Sequence, residues 1–114
     1  MNFDNCTPKS SRQQLDSLLL NILDEIEETI GQELHINSAF RPVVHEIQKG
    51  RNGQSAHSLG KAVDIMCYSS ALRYDIVKLA LQLGVNRIGI YKTFVHLDVA
   101  SGKDGKNTCV IWHG

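Results

Sequence analysis

The chain has 114 residues, which is enough for one domain built around one hydrophobic core. Apolar residues make up 42% of the sequence and charged residues 21%, proportions that exclude a disordered chain. Twelve basic residues balance twelve acidic ones, so no excess of positive charge favours tight binding of nucleic acid.

The N-terminal sequence has none of the features of a targeting segment. It lacks a basic start followed by an apolar run, so we expect no signal peptide and synthesis in the cytoplasm. The apolar runs are far shorter than the roughly 20 residues that span a bilayer, so we expect no membrane insertion. Residues 1–10 indicate a flexible leader, followed by a single domain over residues 11–114 that we expect to be monomeric.

Three cysteines lie far apart in the sequence, at positions 6, 67 and 109. Their odd number and wide spacing predict neither a disulfide framework nor a cysteine-based zinc finger. We expect Cys67 and Cys109 to be buried thiols within strands, because free cysteine is frequently buried. Cys6 receives no role.

The first half of the chain predicts one long helix. Leucine and isoleucine recur at helical spacing over residues 15–30. Ser10 or Ser11 is the expected N-cap, and Gly31 is the expected end of the helix. After it we predict a strand, a short helix and a glycine-rich loop, over residues 33–40, 43–49 and 50–55.

The second half predicts strands around another long helix. That helix begins after an N-cap at Ser69 or Ser70 and ends at Gly84. Apolar and β-branched segments predict four strands, over residues 61–67, 87–91, 93–99 and 108–112. Because short turns join the C-terminal strands, we predict an α+β fold with a small, mainly antiparallel sheet and two main helices.

An aspartate within an apolar run marks the candidate site. Asp64 lies in the sequence Ala-Val-Asp-Ile-Met, where burial of a carboxylate is costly unless the group is paired or binds a metal. His57 precedes the predicted strand. Gly60, between the two, permits a turn that brings the histidine back beside Asp64.

A second polar pair lies in the predicted strand over residues 93–99. His96 and Asp98 project from one face of that strand, whereas its aliphatic residues project from the other. If this strand pairs with the strand of Asp64, then His57, Asp64 and His96 converge.

Two histidines and one carboxylate are a recognised ligand set for catalytic zinc, which keeps a fourth position for water. The bound metal lowers the pKa of that water and polarises a carbonyl group. Taken singly, each residue also fits a purely structural role, as a satisfied histidine or a turn-capping aspartate. The combination of the three favours a metal site.

These residues resemble a known family. The pattern Ser-x-His-x-x-Gly-x-Ala-x-Asp, followed later by a histidine in a strand, resembles the M15 peptidases. This group contains D-alanyl-D-alanine carboxypeptidases and peptidoglycan endopeptidases, and it shares a zinc fold with lysostaphin-type enzymes and the hedgehog signalling domain. In this chain the pattern is formed by Ser55, His57, Gly60, Ala62, Asp64 and His96.

The resemblance extends over about residues 15–113. The segment Asn-Ser-Ala-Phe-Arg-Pro, at residues 37–42, is similar to a segment that precedes the site in the family. Segments 89–91 and 94–98 resemble the region that carries the last zinc ligand, and Trp112 falls where these small domains often end.

The resemblance implies roles for the site residues. His57, Asp64 and His96 would bind Zn²⁺. Arg41 would lie near the site and hold a substrate carbonyl or carboxylate, a task that suits a guanidinium group. Ser55 would either donate a hydrogen bond to a substrate carboxylate or shape the loop.

The chain departs from the family pattern at the general base. Many M15 peptidases have a glutamate or aspartate three residues before the last ligand, where this chain has Thr93. Asp98 is then either the base or the hydrogen-bonding partner of a ligand histidine. His113 would steady the oxyanion, unless it is a solvent-facing terminal residue.

The resemblance therefore implies a zinc-dependent peptidase that cleaves an amide bond in the peptide part of bacterial peptidoglycan, as an endopeptidase or a D,D-carboxypeptidase. A phage or prophage lysin, released onto the cell wall without a signal peptide, fits this activity. Two alternatives stay open, namely a catalytically silent zinc-binding module and a metal-free structural or interaction domain.

Overall fold

The structure is a computed structural model that describes residues 1–8, 11–48 and 55–114. Within these residues five strands form one sheet, namely β1 (Ile36–Ser38), β2 (Ala62–Met66), β3 (Arg87–Ile90), β4 (Phe94–Asp98) and β5 (Val110–His113). Three α-helices accompany the sheet, namely α1 (Ser17–Ile30), α2 (Val43–Gln48) and α3 (Ser70–Gln82). Two short 3-10 helices cover Ser11–Gln14 and Gly102–Asp104.

The sheet has the strand order β1-β2-β4-β3-β5. The pairs β1–β2, β2–β4 and β3–β4 are antiparallel, whereas β5 joins the edge of the sheet parallel to β3. The predicted α+β fold, with a mainly antiparallel sheet and two main helices, is therefore confirmed. The strand predicted over residues 33–40 is shorter than expected, since only Ile36–Ser38 pairs as a strand with β2.

The two faces of the sheet differ in chemistry because side chains alternate along each strand. One face carries fully buried aliphatic side chains that share a core with the apolar sides of α1 and α3. These core residues include Leu19, Leu23, Ile26, Ile65, Ile76, Ile88, Val95 and Leu97. The opposite face carries Asp64, His96 and Asp98. Because α1 and α3 pack on the aliphatic face, they do not cover the candidate site.

The start of α1 differs from the prediction. The N-cap is Asp16 rather than Ser10 or Ser11, and its carboxylate accepts hydrogen bonds from the backbone N–H groups of Leu18 (2.9 Å) and Leu19 (3.3 Å). Ser11 instead begins the preceding 3-10 helix. The predicted end of α1 is confirmed, because Gly31 adopts a left-handed conformation with φ of 78°.

The predicted N-cap of α3 is confirmed at Ser69, whose hydroxyl accepts a hydrogen bond from the backbone of Leu72. Part of the predicted loop, residues 50–54, lies outside the described residues, as do residues 9 and 10 of the predicted leader. In the described part of the chain, no helix has the length and apolar content needed to cross a membrane.

Residues 1–8 pack against the domain, so the prediction of a flexible leader does not hold for them. Asn2 forms a parallel bridge beside His35, donating its N–H to the carbonyl of Leu34 (2.8 Å) and accepting from Ile36 (2.8 Å). Both backbone groups of Asn2 are thus satisfied by the segment that leads into β1.

The cysteines only partly follow the prediction. Cys6 is buried in the main core, although its polar neighbours gave no sign of this. Cys67 is buried as predicted, one residue beyond β2. Cys109 is exposed and precedes β5, so the prediction of a buried thiol in a strand is wrong at this position.

Replacing Asp16 with alanine removes the cap of α1 and leaves two backbone N–H groups without their acceptor. We expect the free energy of unfolding to fall by about 1 kcal/mol. Urea denaturation followed by circular dichroism measures this change. Asp24→Ala, at an exposed position of the same helix, is the matched control and should change the value by less than about 0.5 kcal/mol. Equal losses in the two variants would contradict a capping role.

Candidate metal centre

Two central strands bring two of the predicted ligands together. Asp64 on β2 lies directly opposite His96 on β4 in the antiparallel register. Residues paired in this way project from the same face and contact each other across the strands. The Nδ1 atom of His96 lies 2.9 Å from Oδ1 of Asp64. The convergence predicted from pairing of these strands is thus confirmed.

A tight turn before β2 supplies the third ligand. Gly60 has φ of 71°, and its N–H donates to the carbonyl of His57 (3.1 Å), which closes the turn. This folds His57 back until its Nε2 atom lies 3.3 Å from Oδ1 of Asp64. The carbonyl of Gly60 accepts from the backbone N–H of Asp16 (2.7 Å), so the turn is also tied to the start of α1.

The segment that follows β1 orients His57. The Nδ1 atom of His57 lies 2.8 Å from the carbonyl oxygen of Ala39, and the N–H of Arg41 donates to the carbonyl of His57 (3.2 Å). Because a carbonyl only accepts, the hydrogen-bond network assigns the ring proton to Nδ1. The lone pair of Nε2 therefore points to Asp64, and the side chain is almost fully buried.

A buried carboxylate orients His96. The Nε2 atom of His96 lies 2.6 Å from Oδ2 of Asp98, whose side chain is 0% exposed. The other oxygen of Asp98 accepts from Nε of Arg87 (2.7 Å) and from the N–H of Ala100 (3.1 Å). Because the oxygens of Asp98 accept in these contacts, Nε2 of His96 donates, and in the neutral ring the lone pair of Nδ1 points to Asp64.

These orientations test whether a metal ion fits. Both histidines present a lone pair toward the same carboxylate, and the three ligand atoms of His57, Asp64 and His96 lie within 4.8 Å of one another. Three acceptors in a half-buried pocket repel one another unless a cation lies among them. Two imidazole nitrogens and one carboxylate oxygen are a zinc ligand set with an open position. The residues therefore fit a metal ion.

When no metal is bound, His96 carries a proton on Nδ1 as well and donates it to Asp64. Burial alone would raise the pKa of Asp64, but its contacts with His57 and His96 outweigh burial and hold the pKa well below its ordinary value. Burial would lower the pKa of His96, but its bonds to Asp64 and Asp98 raise it above its ordinary value. The centre is thus an ion pair when no metal is bound.

The structure bears on the two roles considered for Asp98. Its carboxylate is fully buried, and both of its oxygens are engaged by His96, Arg87 and the backbone. A general base has to reach a proton of the substrate or of the attacking water. These contacts therefore fit the role of a hydrogen-bonding partner that orients a ligand histidine.

Ser55 and Arg41 both lie beside His57 in the structure. The hydroxyl of Ser55 accepts from the N–H of Ser58 (3.2 Å), and its carbonyl accepts from the hydroxyl of Ser58 (2.8 Å). These bonds fit the loop-shaping alternative for Ser55. Arg41 contributes its main-chain bond to His57, and a contact between its guanidinium group and substrate stays a prediction.

His113 does not lie where the sequence placed it. In the parallel register Trp112 pairs with Gly89, and His113 pairs with Ile90. Trp112 faces the metal centre, since its ring centroid lies 5.2 Å from that of His96. His113, as the next residue of the strand, projects from the opposite face. The oxyanion role expected for His113 is therefore incompatible with this register.

An aromatic wall beside the centre was not predicted. The indole of Trp112 lies over Gly89, where a Cβ atom would come within 2.6 Å of Nε1 of the tryptophan and 2.8 Å of the Tyr91 ring. Nε1 of Trp112 donates to the hydroxyl of Tyr91 (2.9 Å), and the guanidinium carbon of Arg87 lies 5.2 Å from the indole centroid. A glycine inside a strand of apolar residues was the available signal for this close approach.

A comparison with protein families supports this reading of the geometry. The model of the family described as Peptidase M15 matches residues 3–98. The chain belongs to the peptidase M15 family. The match contains all three ligand candidates as well as Arg87 and Asp98, and family membership indicates a peptidase. The resemblance drawn from the sequence is confirmed, while no curated protein matches the chain significantly.

Replacing Asp98 with asparagine removes the charge that fixes His96. We expect the affinity for Zn²⁺ to fall about 10- to 100-fold, because partners of this kind set the tautomer and basicity of the ligand. Competition with a chromophoric chelator measures the affinity, and circular dichroism checks the fold. Asp75→Asn, at an exposed position of α3, is the control. Unchanged affinity in folded Asp98→Asn protein would contradict the orienting role.

The metal-free protein should be most stable between mildly acidic and neutral pH. The lowered pKa of Asp64 stabilises the fold above its ordinary value of 3.8, and this contribution is lost as the pH falls. The raised pKa of His96 stabilises the fold below its ordinary value of 6.5, and this contribution is lost as the pH rises through the raised value.

Urea denaturation of chelator-treated protein across the pH range measures this profile. We expect the free energy of unfolding to decrease on both sides of the window. His96→Gln should remove most of the decrease on the alkaline side. A profile that is flat from acidic to alkaline pH would be inconsistent with an ion pair at the centre.

Proposed function

We propose that the protein is a zinc-dependent peptidase that hydrolyses an amide bond in the peptide part of bacterial peptidoglycan, of the endopeptidase or D,D-carboxypeptidase type. The observation that carries this proposal is the convergence of two imidazole nitrogens on one carboxylate, in a chain of the peptidase M15 family. The partners are peptidoglycan peptides, and the proposal includes a monomeric protein that reaches the wall on release, as in phage-type lysis.

The chain's own residues prepare the site for this reaction. A Zn²⁺ ion held by His57, Asp64 and His96 would lower the pKa of a water molecule and polarise the scissile carbonyl. The carbonyl of Ala39 and the carboxylate of Asp98 hold the two imidazole rings in the required tautomers. Since the rings are already oriented, the protein does not have to reorganise when the two histidines bind the ion.

The arginine and the aromatic wall have distinct parts in this proposal. Arg87 donates to Asp98, which contacts Nε2 of His96, so the arginine acts on this ligand through one intermediate residue. Trp112 and Tyr91 border the centre on the side of β3 and β5. In this proposal the guanidinium group of Arg41, whose main chain is bonded to His57, binds a substrate carbonyl or carboxylate.

One observation favours a second candidate, a zinc-binding module that binds its ligand without hydrolysing it. Hydrolysis needs a group that carries a proton to the leaving amine. Among the described acidic side chains, Asp64 and Asp98 contact the ligand histidines, and Asp98 is fully buried. Thr93, at the position of the base in many relatives, offers a hydroxyl instead of a carboxylate.

Digestion of purified peptidoglycan followed by mass spectrometry tests the proposal. We expect new peptide fragments that disappear with a chelator and return when Zn²⁺ is added, and their masses identify the bond. His57→Ala should reduce the yield at least 100-fold because one ligand is lost. Lys103→Gln, at an exposed position of a surface turn, is the matched control and should keep full activity.

The absence of fragments from folded, zinc-loaded protein would exclude the peptidase. Sedimentation of the protein with insoluble peptidoglycan, with and without chelator, then separates the remaining candidates. Zinc-dependent sedimentation supports the binding module, whereas zinc-independent behaviour supports a structural domain.

A further inference from the structure

The imidazole of His96 is held in its plane by two contacts, one at each nitrogen. Nδ1 lies 2.9 Å from Oδ1 of Asp64, and Nε2 lies 2.6 Å from Oδ2 of Asp98. A hydrogen bond tolerates moderate changes of angle, so these two contacts resist only weakly a rocking of the ring about the line through its nitrogens. A metal ligand has to keep its lone pair aimed at the ion. The ring of His96 therefore needs support against its faces.

Two aromatic rings supply that support. The ring of His57 lies 5.1 Å from that of His96, centroid to centroid, at an interplanar angle of 71°. The indole of Trp112 lies 5.2 Å from the same ring at 52°. His57 approaches from the side of β2, where it contacts Asp64. Trp112 approaches from the side of β3, where it lies over Gly89, so the imidazole of His96 has a ring on either side.

The indole is itself fixed by contacts that do not involve His96. Its Nε1 atom donates to the hydroxyl of Tyr91 (2.9 Å), and the tyrosine ring stacks on Phe94 at 4.3 Å and 9°. The guanidinium carbon of Arg87 lies 5.2 Å from the indole centroid, within the range of a cation–π contact. The indole is therefore a rigid support that is in place before any ion binds.

Gly89 makes room for the indole beside the ligand. The strand registers place Gly89 between His96 on β4 and Trp112 on β5. A Cβ atom on Gly89 would come within 2.6 Å of Nε1 and 2.8 Å of Cε2 of the indole, closer than atoms in contact. The φ angle of Gly89 is not positive, so its backbone suits any residue. Space for the indole is thus the reason why this position has no side chain.

We propose that Trp112 is a positioning residue of the metal centre, which supports the imidazole of His96 from the β5 side and keeps its lone pair aimed at the ion. The proposal rests on the proposed function only for the identity of the ion, Zn²⁺. An aromatic pair of this kind changes an affinity about two- to tenfold. The last strand of the sheet thus contributes to the metal centre, although the three candidate ligands lie on other segments.

Three variants change the support without changing a ligand. Trp112→Ala removes the indole, Trp112→Phe keeps a ring, and Gly89→Ala displaces the indole while every polar group of the centre stays. Gly102→Ala is the matched control for Gly89→Ala, because a Cβ atom there meets nothing within 4 Å. Ile111→Ala, at an exposed position of β5, is the control for Trp112→Ala. Competition with a chromophoric chelator gives the affinity for Zn²⁺, and circular dichroism checks the fold.

We expect the affinity for Zn²⁺ to fall about two- to tenfold in Trp112→Ala and in Gly89→Ala. Trp112→Phe should recover most of the loss, and both controls should bind as the wild-type protein does. A merely structural role would lower the free energy of unfolding of the metal-free variants and leave the affinity of the folded ones unchanged. If Trp112→Ala does not fold, Gly89→Ala decides. Wild-type affinity in folded Gly89→Ala protein, or an equal loss in Ile111→Ala, would overturn the positioning role.

Co²⁺ gives a spectroscopic readout, because it accepts the same kinds of ligand as Zn²⁺ and absorbs visible light. Trp112 is the only tryptophan of the chain and contacts a ligand ring, so bound Co²⁺ should quench its fluorescence. The visible spectrum of the bound ion depends on how its ligands are arranged. We expect this spectrum to change in Gly89→Ala and to stay the same in Gly102→Ala. Full tryptophan emission from cobalt-loaded wild-type protein would contradict the contact between the indole and the centre.

The two proposals fail in distinguishable ways. An affinity for Zn²⁺ that depends on Trp112, in protein that releases no peptidoglycan fragments, would support the positioning role and exclude the peptidase. Fragments released by protein whose affinity for Zn²⁺ does not depend on Trp112 would overturn the positioning role and leave the peptidase in place.

Discussion

The antiparallel register between β2 and β4 sets Asp64 directly opposite His96, and the rest of the centre depends on this pairing. A slip of one residue would turn one of these side chains into the aliphatic core on the other face of the sheet. The core that α1 and α3 share with the sheet therefore does more than stabilise the fold. By burying the alternate residues of both strands, it fixes which face receives the polar groups.

Polar groups extend across that face as a connected series. Arg87 bonds to Asp98, Asp98 to His96, and His96 to Asp64, so that cationic and anionic groups alternate. A charge buried in such a place is unfavourable unless each neighbour has the opposite sign and the hydrogen bonds are complete. Removing any one member leaves its neighbours uncompensated. The series therefore acts as one unit, with the metal site at its end.

Sequence patterns predicted the parts of the site that follow from local alternation. The carboxylate within an apolar run indicated Asp64. His96 and Asp98 are two residues apart in a strand, so their side chains were predicted on one face. The position of His113 failed because it depends on how β5 pairs with β3, a parallel contact whose register no local pattern specifies. The sequence left two roles for Asp98, and the contact with Arg87 favours that of a hydrogen-bonding partner. That contact joins β3 to β4, and the sequence of neither strand predicts it.

The N-terminal region shows the same limit. Ser10, Ser11 and Asp16 are all good N-caps, and the 3-10 helix at Ser11–Gln14 decides among them. Cys6 has polar neighbours in the sequence, yet it is buried through backbone pairing of the chain start with the segment before β1. Contacts between distant segments determine both outcomes.

The hydrogen bond between the N–H of Asp16 and the carbonyl of Gly60 joins the first turn of α1 to the turn that carries His57. Fraying of the helix start and opening of the ligand turn thus become a single local unfolding event. Local unfolding of the helix start therefore weakens the binding of an ion by His57. By reciprocity, a bound ion stabilises the folded helix start. The backbone amides at the beginning of α1 therefore respond to whether an ion is bound at the centre.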